Sequence, residues 1–377
     1  MTDASLIAPG AESAPRRTAD GAIFHPLLDF LLLGGLTLIV IPIALMLPVE
    51  HRPVMSGLMI VLADFLNHPH FAASYQIFYR GYREKAFGTR LSRALRLRYI
   101  FAGIVVPVAL VLYFATAAVV ESAAMFGYSA NLMFFLVGWH YTKQGYGMLV
   151  VSSVYQKKFF GETDKKLFLL NAYTTWILFW MVGNRMIHER DFFGLSYYSF
   201  PIPDWALYGT GAAVAVTSAL VLRIFVRRAM TGLDSLPWLG VMAYVVSIYV
   251  WLTAMRMPVI LILVPALHSL QYLTIVWRYE INRARATSHE GCGLSWKLKV
   301  IGFVVWSILL GMAGFWILPE FLEAQVDYGS TALGGGLFFM FSFWTFINIQ
   351  HYCMDNVIWR KENPDTGAYL FGVKKKD

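Results

Sequence analysis

Charge is scarce in this chain. Asp, Glu, Lys and Arg make up 14% of its 377 residues, against 58% hydrophobic residues. A soluble domain carries roughly 25% charged residues, so a water-borne globular body is excluded, and the mean hydropathy of +0.55 agrees. Cysteine is nearly absent: Cys353 lies in an apolar run, Cys292 in a basic loop, and neither has a CxxC partner. That rules out a disulfide framework, iron–sulfur clusters and Cys-rich zinc sites. No loop exceeds about 25 residues, too few for a core of its own. The first apolar run starts late and lacks a small-residue cleavage site, so no signal peptide is expected. The HxxxH and HxxHH boxes of membrane di-iron enzymes are also missing, which disfavours a di-iron centre. A net charge of +8 suggests nucleic acid. The basic residues instead punctuate apolar spans, the pattern of cytoplasmic loops, so no nucleic-acid partner is expected.

Long apolar runs are what the chain has in abundance. About 20 residues cross the roughly 30 Å of bilayer hydrocarbon, and about ten such runs follow one another. They begin near Leu27, Pro53, Tyr99, Ser129, Leu167, Asp204, Pro237, Val259, Val300 and Gly334. Even-numbered spans run into basic segments opening at Arg80, Lys157, Arg227, Arg278 and Arg360, while odd spans exit into short, neutral or acidic loops. With Arg16 and Arg17 inside, this obeys the positive-inside rule. The fold expected is all-α: a polytopic membrane helical bundle of about ten transmembrane helices with both termini cytoplasmic. Residues 1–22 read as a disordered N-terminal segment, 23–360 as one transmembrane domain, and 361–377 as a basic cytoplasmic tail. The location expected is a bacterial inner membrane. Oligomeric state is not legible.

Four histidines fall inside the apolar spans: His70, His140, His268 and His351. Ionisable groups in lipid are costly unless they find partners, which makes each a candidate functional residue. All four sit on even spans. His70 precedes Arg80 by ten residues, His268 precedes Arg278 by ten, and His351 precedes Arg360 by nine. At 1.5 Å per residue, all three lie about 13–15 Å from a basic edge, one shared depth. His140 is seventeen residues from Lys157 and reads as deeper. Isolated helix–helix hydrogen bonding is the bland alternative for any one of them; a common depth favours a shared metal.

Neighbours supply candidate partners. Asp355 stands four residues after His351, on the same helical face, to orient the imidazole or to ligate directly. Gln271 and Tyr272 follow His268 by three and four residues, and Gln144 follows His140 by four. Pro69 frees backbone carbonyls near His70 and kinks its span. His68 points about 200° away from His70 on a helix and ranks behind the ligands, as does Asp64 one turn earlier. His25, His51, His188 and His289 read as solvated residues near span ends or in loops.

Neutral imidazole suits iron, copper and zinc, and a mononuclear site with three or four histidines leaves positions for O₂ on iron. The depth of the site suits a lipophilic substrate reaching it from the bilayer. The aromatic content of 16% could line a tunnel, though aromatics also serve packing and interfacial belts. Three short patches, Pro69-His70-Phe71-Ala72-Ala73-Ser74, Trp139-His140-Tyr141 and His268-Ser269-Leu270-Gln271-Tyr272, resemble those of the Brp/Blh family of bacterial membrane β-carotene 15,15′-dioxygenases. The patches cover about a tenth of the chain. The chain departs from the family pattern twice: Ser74 stands where the family has an acid, and Tyr272 where it has a second histidine. The resemblance implies iron held by these histidines, with His351 supplying the missing nitrogen, and oxidative cleavage of a polyene. The function expected is therefore a membrane-embedded, histidine-ligated non-haem iron (Fe²⁺) oxygenase acting with O₂ on a carotenoid or other lipid. The alternatives are a haem-binding oxidoreductase and a proton-coupled transporter using the histidines as a relay.

Overall fold

The computed structural model describes residues 21–186, 191–251, 258–288, 294–326 and 337–371. Residues 1–20 of the segment read as disordered lie outside these ranges, as do His188, His289, Cys292 and the lysines at 374–376. Every long element among the described residues is a helix. The one strand pairing is a two-residue ladder, β1 (Asp191–Phe192) antiparallel to β2 (Leu195–Ser196).

Among the described residues four helices are long and apolar enough to cross a membrane: α1 (Pro26–Met46), α4 (Arg93–Val119), α7 (Asp204–Thr231) and α10 (Trp296–Glu323). They are the outward-facing ones. Leu28, Val111, Leu112, Leu222, Ile301 and Leu309 all stand exposed on them, as helices apolar on every face do when lipid surrounds them. The remaining long helices are α2 (Arg52–Phe65), α3 (Asn67–Tyr79), α5 (Ala123–Tyr155), α6 (Glu162–Met186), α8 (Trp238–Val250), α9 (Pro258–Ser288) and α11 (Phe338–Ile358). The four histidines singled out from the apolar runs belong to this second group, on α3, α5, α9 and α11. These helices pack on one another, α11 against α3 and α5, and α9 against α3. Their polar residues face inward, which lowers their overall hydrophobicity.

The span that opens at Pro53 is two helices. The chain breaks at Leu66 (φ −120°, ψ −56°) between α2 and α3. Pro69 causes no loss there, because it falls in the first turn of α3, where its missing N–H has no intrahelical partner to find. Prolines inside α4 and α10 act differently. Pro107 leaves the carbonyl of Gly103 free, and Tyr79 Oη donates to it at 3.0 Å. Pro319 leaves that of Phe315 free, and Trp344 Nε1 donates to it at 3.1 Å. Each proline thus trades a helical hydrogen bond for one to a neighbouring helix. A π-turn precedes each, Phe101–Val105 and Ala313–Ile317, and α1 and α8 carry others at Leu31–Gly35 and Val246–Val250.

Two glycines permit close helix approach. A Cβ on Gly145 of α5 would lie 2.6 Å from Ser247 Cβ on α8, and one on Gly311 of α10 would lie 2.9 Å from the His68 backbone of α3. Beyond Arg360, where the sequence suggested a tail, the chain turns back. Helix α12 (Pro364–Phe371) is pinned to the bundle: Tyr155 Oη donates to the Leu370 carbonyl at 2.9 Å, Asn282 Nδ2 to that of Tyr369 at 2.8 Å, and Thr366 Oγ1 to that of Ile358 at 2.6 Å. Leu370 is buried, which supplies the apolar anchor that a free tail would lack.

Candidate metal centre

The four histidines converge. Ring centroids of His70 and His351 are 4.8 Å apart, of His351 and His140 4.9 Å, of His140 and His268 4.9 Å, and of His268 and His70 5.4 Å. The imidazoles close a four-cornered ring, with one corner from each of α3, α11, α5 and α9. All four are buried. Potential ligand atoms of His70, His140 and His268 lie within 4.8 Å of one another, and so do those of His140, His351 and Asp355. Nitrogens bound about 2.1 Å from one ion are spaced by roughly 3–4 Å, so a small inward movement would suffice.

His140 joins the ring despite its apparent depth. Helix α5 has 33 residues, about 50 Å at 1.5 Å per residue. It runs well past the thickness that one span needs. Counting back from Lys157 therefore measured the overhang as well as the depth.

Asp355 stands on the ligand side of the ring rather than behind it. Its Oδ2 is 3.4 Å from Nε2 of His351 and 3.8 Å from Nε2 of His140. Its other oxygen, Oδ1, accepts from Tyr272 Oη at 2.7 Å. Tyr272 Oη in turn contacts Ser74 Oγ at 2.5 Å and accepts from Trp359 Nε1 at 3.2 Å. Of the two roles open to Asp355, orienting His351 or joining the donors, the geometry matches the second.

His70 is held from the rear. Its Nδ1 donates to the Asn67 carbonyl at 2.5 Å and lies 2.9 Å from Ser269 Oγ. A carbonyl can only accept, so the proton sits on Nδ1 and the lone pair on Nε2 points into the ring. Ser269 Oγ also approaches Asn67 Oδ1 at 3.1 Å and Pro265 O at 2.7 Å. Asn67 and Trp359 were not singled out from the sequence, and Ser74 and Ser269 entered only as members of the family-like patches. Asn67 and Ser269 had a signal: they stand three residues before His70 and directly after His268.

Gln144 and Gln271 brace the helices. Gln144 Nε2 donates to the His268 carbonyl at 3.1 Å and to Gln271 Oε1 at 3.2 Å; Gln271 Nε2 donates to the Leu33 carbonyl at 2.5 Å. Together they tie α5, α9 and α1 beside the ring. His68 and Asp64 belong elsewhere. His68 stacks on Phe315 at 4.4 Å, its Nδ1 lies 3.0 Å from Asp64 Oδ1, and Asp64 accepts from Trp316 Nε1 at 2.9 Å. The expectation that both stand behind the ligands is corrected: on α3 the 200° between residues 68 and 70 turns His68 toward α10.

The donor atoms are left without partners. Nε2 of His70 and His140, both ring nitrogens of His268 and His351, and Oδ2 of Asp355 are buried without a hydrogen bond among the described residues. Each such atom costs about 1–3 kcal/mol. The walls offer them nothing: Phe71 lies 4.6 Å from His351, Tyr141 4.2 Å from His268 and Tyr352 4.8 Å from His140, ring to ring. Native interiors satisfy buried polar groups, so this arrangement fits a bound cation, and imidazoles with one carboxylate are a donor set for iron, copper or zinc.

A cavity of about 830 Å³ reaches this centre. Its end at the centre is lined by His140, Tyr272, Tyr352 and Asp355, and the rest of its wall includes Trp139, Lys143, Met148, Lys361, Asn363, Thr366 and Phe371. Comparison with protein-family models, with curated proteins and with solved structures finds no match to this chain.

Proposed function

We propose that the chain is a multi-pass membrane oxygenase in which His70, His140, His268 and His351, with Asp355, hold one iron ion and present it to a lipophilic substrate. The observation that carries this is the set of buried, partnerless nitrogens and carboxylate oxygen facing a common centre from four helices. Iron in such a set supplies O₂ activation. The chain's own groups do the rest. Asn67 and Ser269 fix the tautomer of His70. Tyr272 holds Asp355 by one oxygen and so keeps the other turned inward. Phe71, Tyr141 and Tyr352 keep bulk water from the centre.

About ten spans with both termini cytoplasmic remain the topology we favour, with α2 and α3 together forming the second. In support, Arg80 at the end of α3 pairs with Glu280 of α9 at 2.9 Å. This brings the basic positions that follow His70 and His268, Arg80 and the neighbourhood of Arg278, to one level, in keeping with the residue counts.

The chain departs from the Brp/Blh pattern at two positions that meet in the fold. Ser74 and Tyr272 replace an acid and a histidine, and their side chains touch at 2.5 Å. Asp355 brings a carboxylate to this pair of hydroxyls from α11. A carotenoid or other polyene is the substrate class the resemblance suggests. A haem between two of these histidines would displace the other two, so the ring favours a single ion.

The deciding experiment is elemental analysis of the detergent-purified protein. About one iron per chain, lost in His268→Ala, is expected. Protein without stoichiometric metal after reconstitution with Fe²⁺ would end the proposal.

A further inference from the structure

We infer that the cavity beside the metal centre binds a single-chain amphiphile with an anionic head, its head on Lys143 and its chain along the apolar wall. This rests on the proposed function only in taking the inner end of the cavity as the reacting end.

The cavity of about 830 Å³ falls within the roughly 300–1,000 Å³ typical of small-molecule sites. Its wall is mostly carbon, from Met148, Val151, Val154, Ile275, Leu370 and Phe371. An apolar cavity alone would take any hydrocarbon. Lys143 makes this one selective. It lies one turn beyond His140 on α5, so both side chains line the same space. Its ammonium donates to Asn356 Oδ1 and lies 4.6 Å from the Trp139 ring centroid. Among the described residues no carboxylate lies within ion-pair distance of it. A half-buried cation between apolar walls with a neutral amide as its partner is suited to a carboxylate or phosphate monoester. Lys361, which is exposed, adds a second cation to the lining.

The geometry sets an order along the ligand. Lys143 and His140 are neighbours, so an anionic head on Lys143 lies near the centre. The chain then runs toward α12, whose buried Leu370 helps close the far wall.

The test compares hexadecanoic acid, hexadecyl phosphate and hexadecanol as probes. Their binding to the full-length protein in an uncharged detergent is measured by native mass spectrometry, with metal content measured on the same samples. Wild-type protein is expected to bind the acid or the phosphate at least ten-fold more tightly than the alcohol. Lys143→Gln is expected to abolish that preference without loss of metal, and Lys143→Arg to keep it. Whether acid or phosphate binds more tightly identifies the head. Equal binding of all three probes to wild type, or a preference that survives Lys143→Gln, overturns the inference and leaves the metal proposal intact. A charge preference in protein that holds no metal supports the amphiphile site and counts against the oxygenase alone. Should Lys143→Gln fail to fold, the comparison of probes on wild type and Lys143→Arg still decides.

Discussion

Tyr272 and Asp355 are joined by a 2.7 Å hydrogen bond from hydroxyl to Oδ1, and this bond leaves Oδ2 as the carboxylate atom that faces His351 and His140. The two residues come from α9 and α11, so the bond sets the angle of the carboxylate and fastens two helices that carry donors. Tyr272→Phe removes this donor and leaves the carboxylate only Ser74 and Trp359, which also meet the Tyr272 hydroxyl, as polar neighbours. Loss of such support around a metal ligand typically costs 10–100-fold in affinity. We expect that loss in a competitive metal titration, with a stability decrease of about 1–3 kcal/mol. Unchanged metal affinity would show that Asp355 is not a donor.

The histidines divide into two groups with different outcomes. His70→Ala, His140→Ala, His268→Ala and His351→Ala should each lower bound metal. His68→Phe should keep it, because His68 stacks on Phe315 and pairs with Asp64 away from the ring. Metal content per chain checks both arms. Loss of metal in His68→Phe with folding intact would place His68 within the centre and contradict the geometry.

Ser269→Ala removes one of two groups holding Nδ1 of His70. The Asn67 carbonyl remains, so the effect should be smaller than that of Tyr272→Phe, near the ten-fold end of the range for groups behind a ligand. The same metal titration reads it. A loss as large as that of His70→Ala would mean that Ser269 is needed for more than orientation.

A ligand that binds only the folded state stabilises it by RT ln(1 + [L]/Kd), about 2.7 kcal/mol at a hundred-fold excess over Kd. The candidate ion ties α3, α5, α9 and α11. Removing it with a chelator should therefore lower the thermal midpoint, and adding Fe²⁺ back should restore it. A midpoint indifferent to chelation would argue against an ion bridging these helices.

Gly145→Ala tests the packing that delivers His140. The added carbon would meet Ser247 Cβ at 2.6 Å, and overpacking of this kind costs about 1–3 kcal/mol. A drop in thermal midpoint is expected. Full stability would mean that α5 and α8 are not pressed together at this level.

The helical character and the identity of the four histidines were legible because both are written in composition and spacing. Depth counting placed three histidines together since Arg80, Arg278 and Arg360 follow them by nine or ten residues. It misjudged His140 because helix length is not bounded by membrane thickness, and α5 continues as a regular helix past it. The orientation of Asp355 depends on Tyr272, which comes from another helix. No pattern local to residues 351–355 reveals that. The break at Leu66 followed from Pro69, but the π-turns left no mark, since a single extra residue in a uniformly apolar run changes no visible periodicity. The return of α12 was hidden by its charged surroundings, where Ala368 to Phe371 form only a short apolar run.

The order of the donors along the chain has a consequence for biogenesis. A nascent chain halted before residue 338 contains three of the imidazoles and not the carboxylate. His351 and Asp355 arrive together on α11, after nine-tenths of the polypeptide has been made. Stable capture of an ion by the full donor set can follow only the insertion of that helix, so metal retention would report that the bundle has been completed.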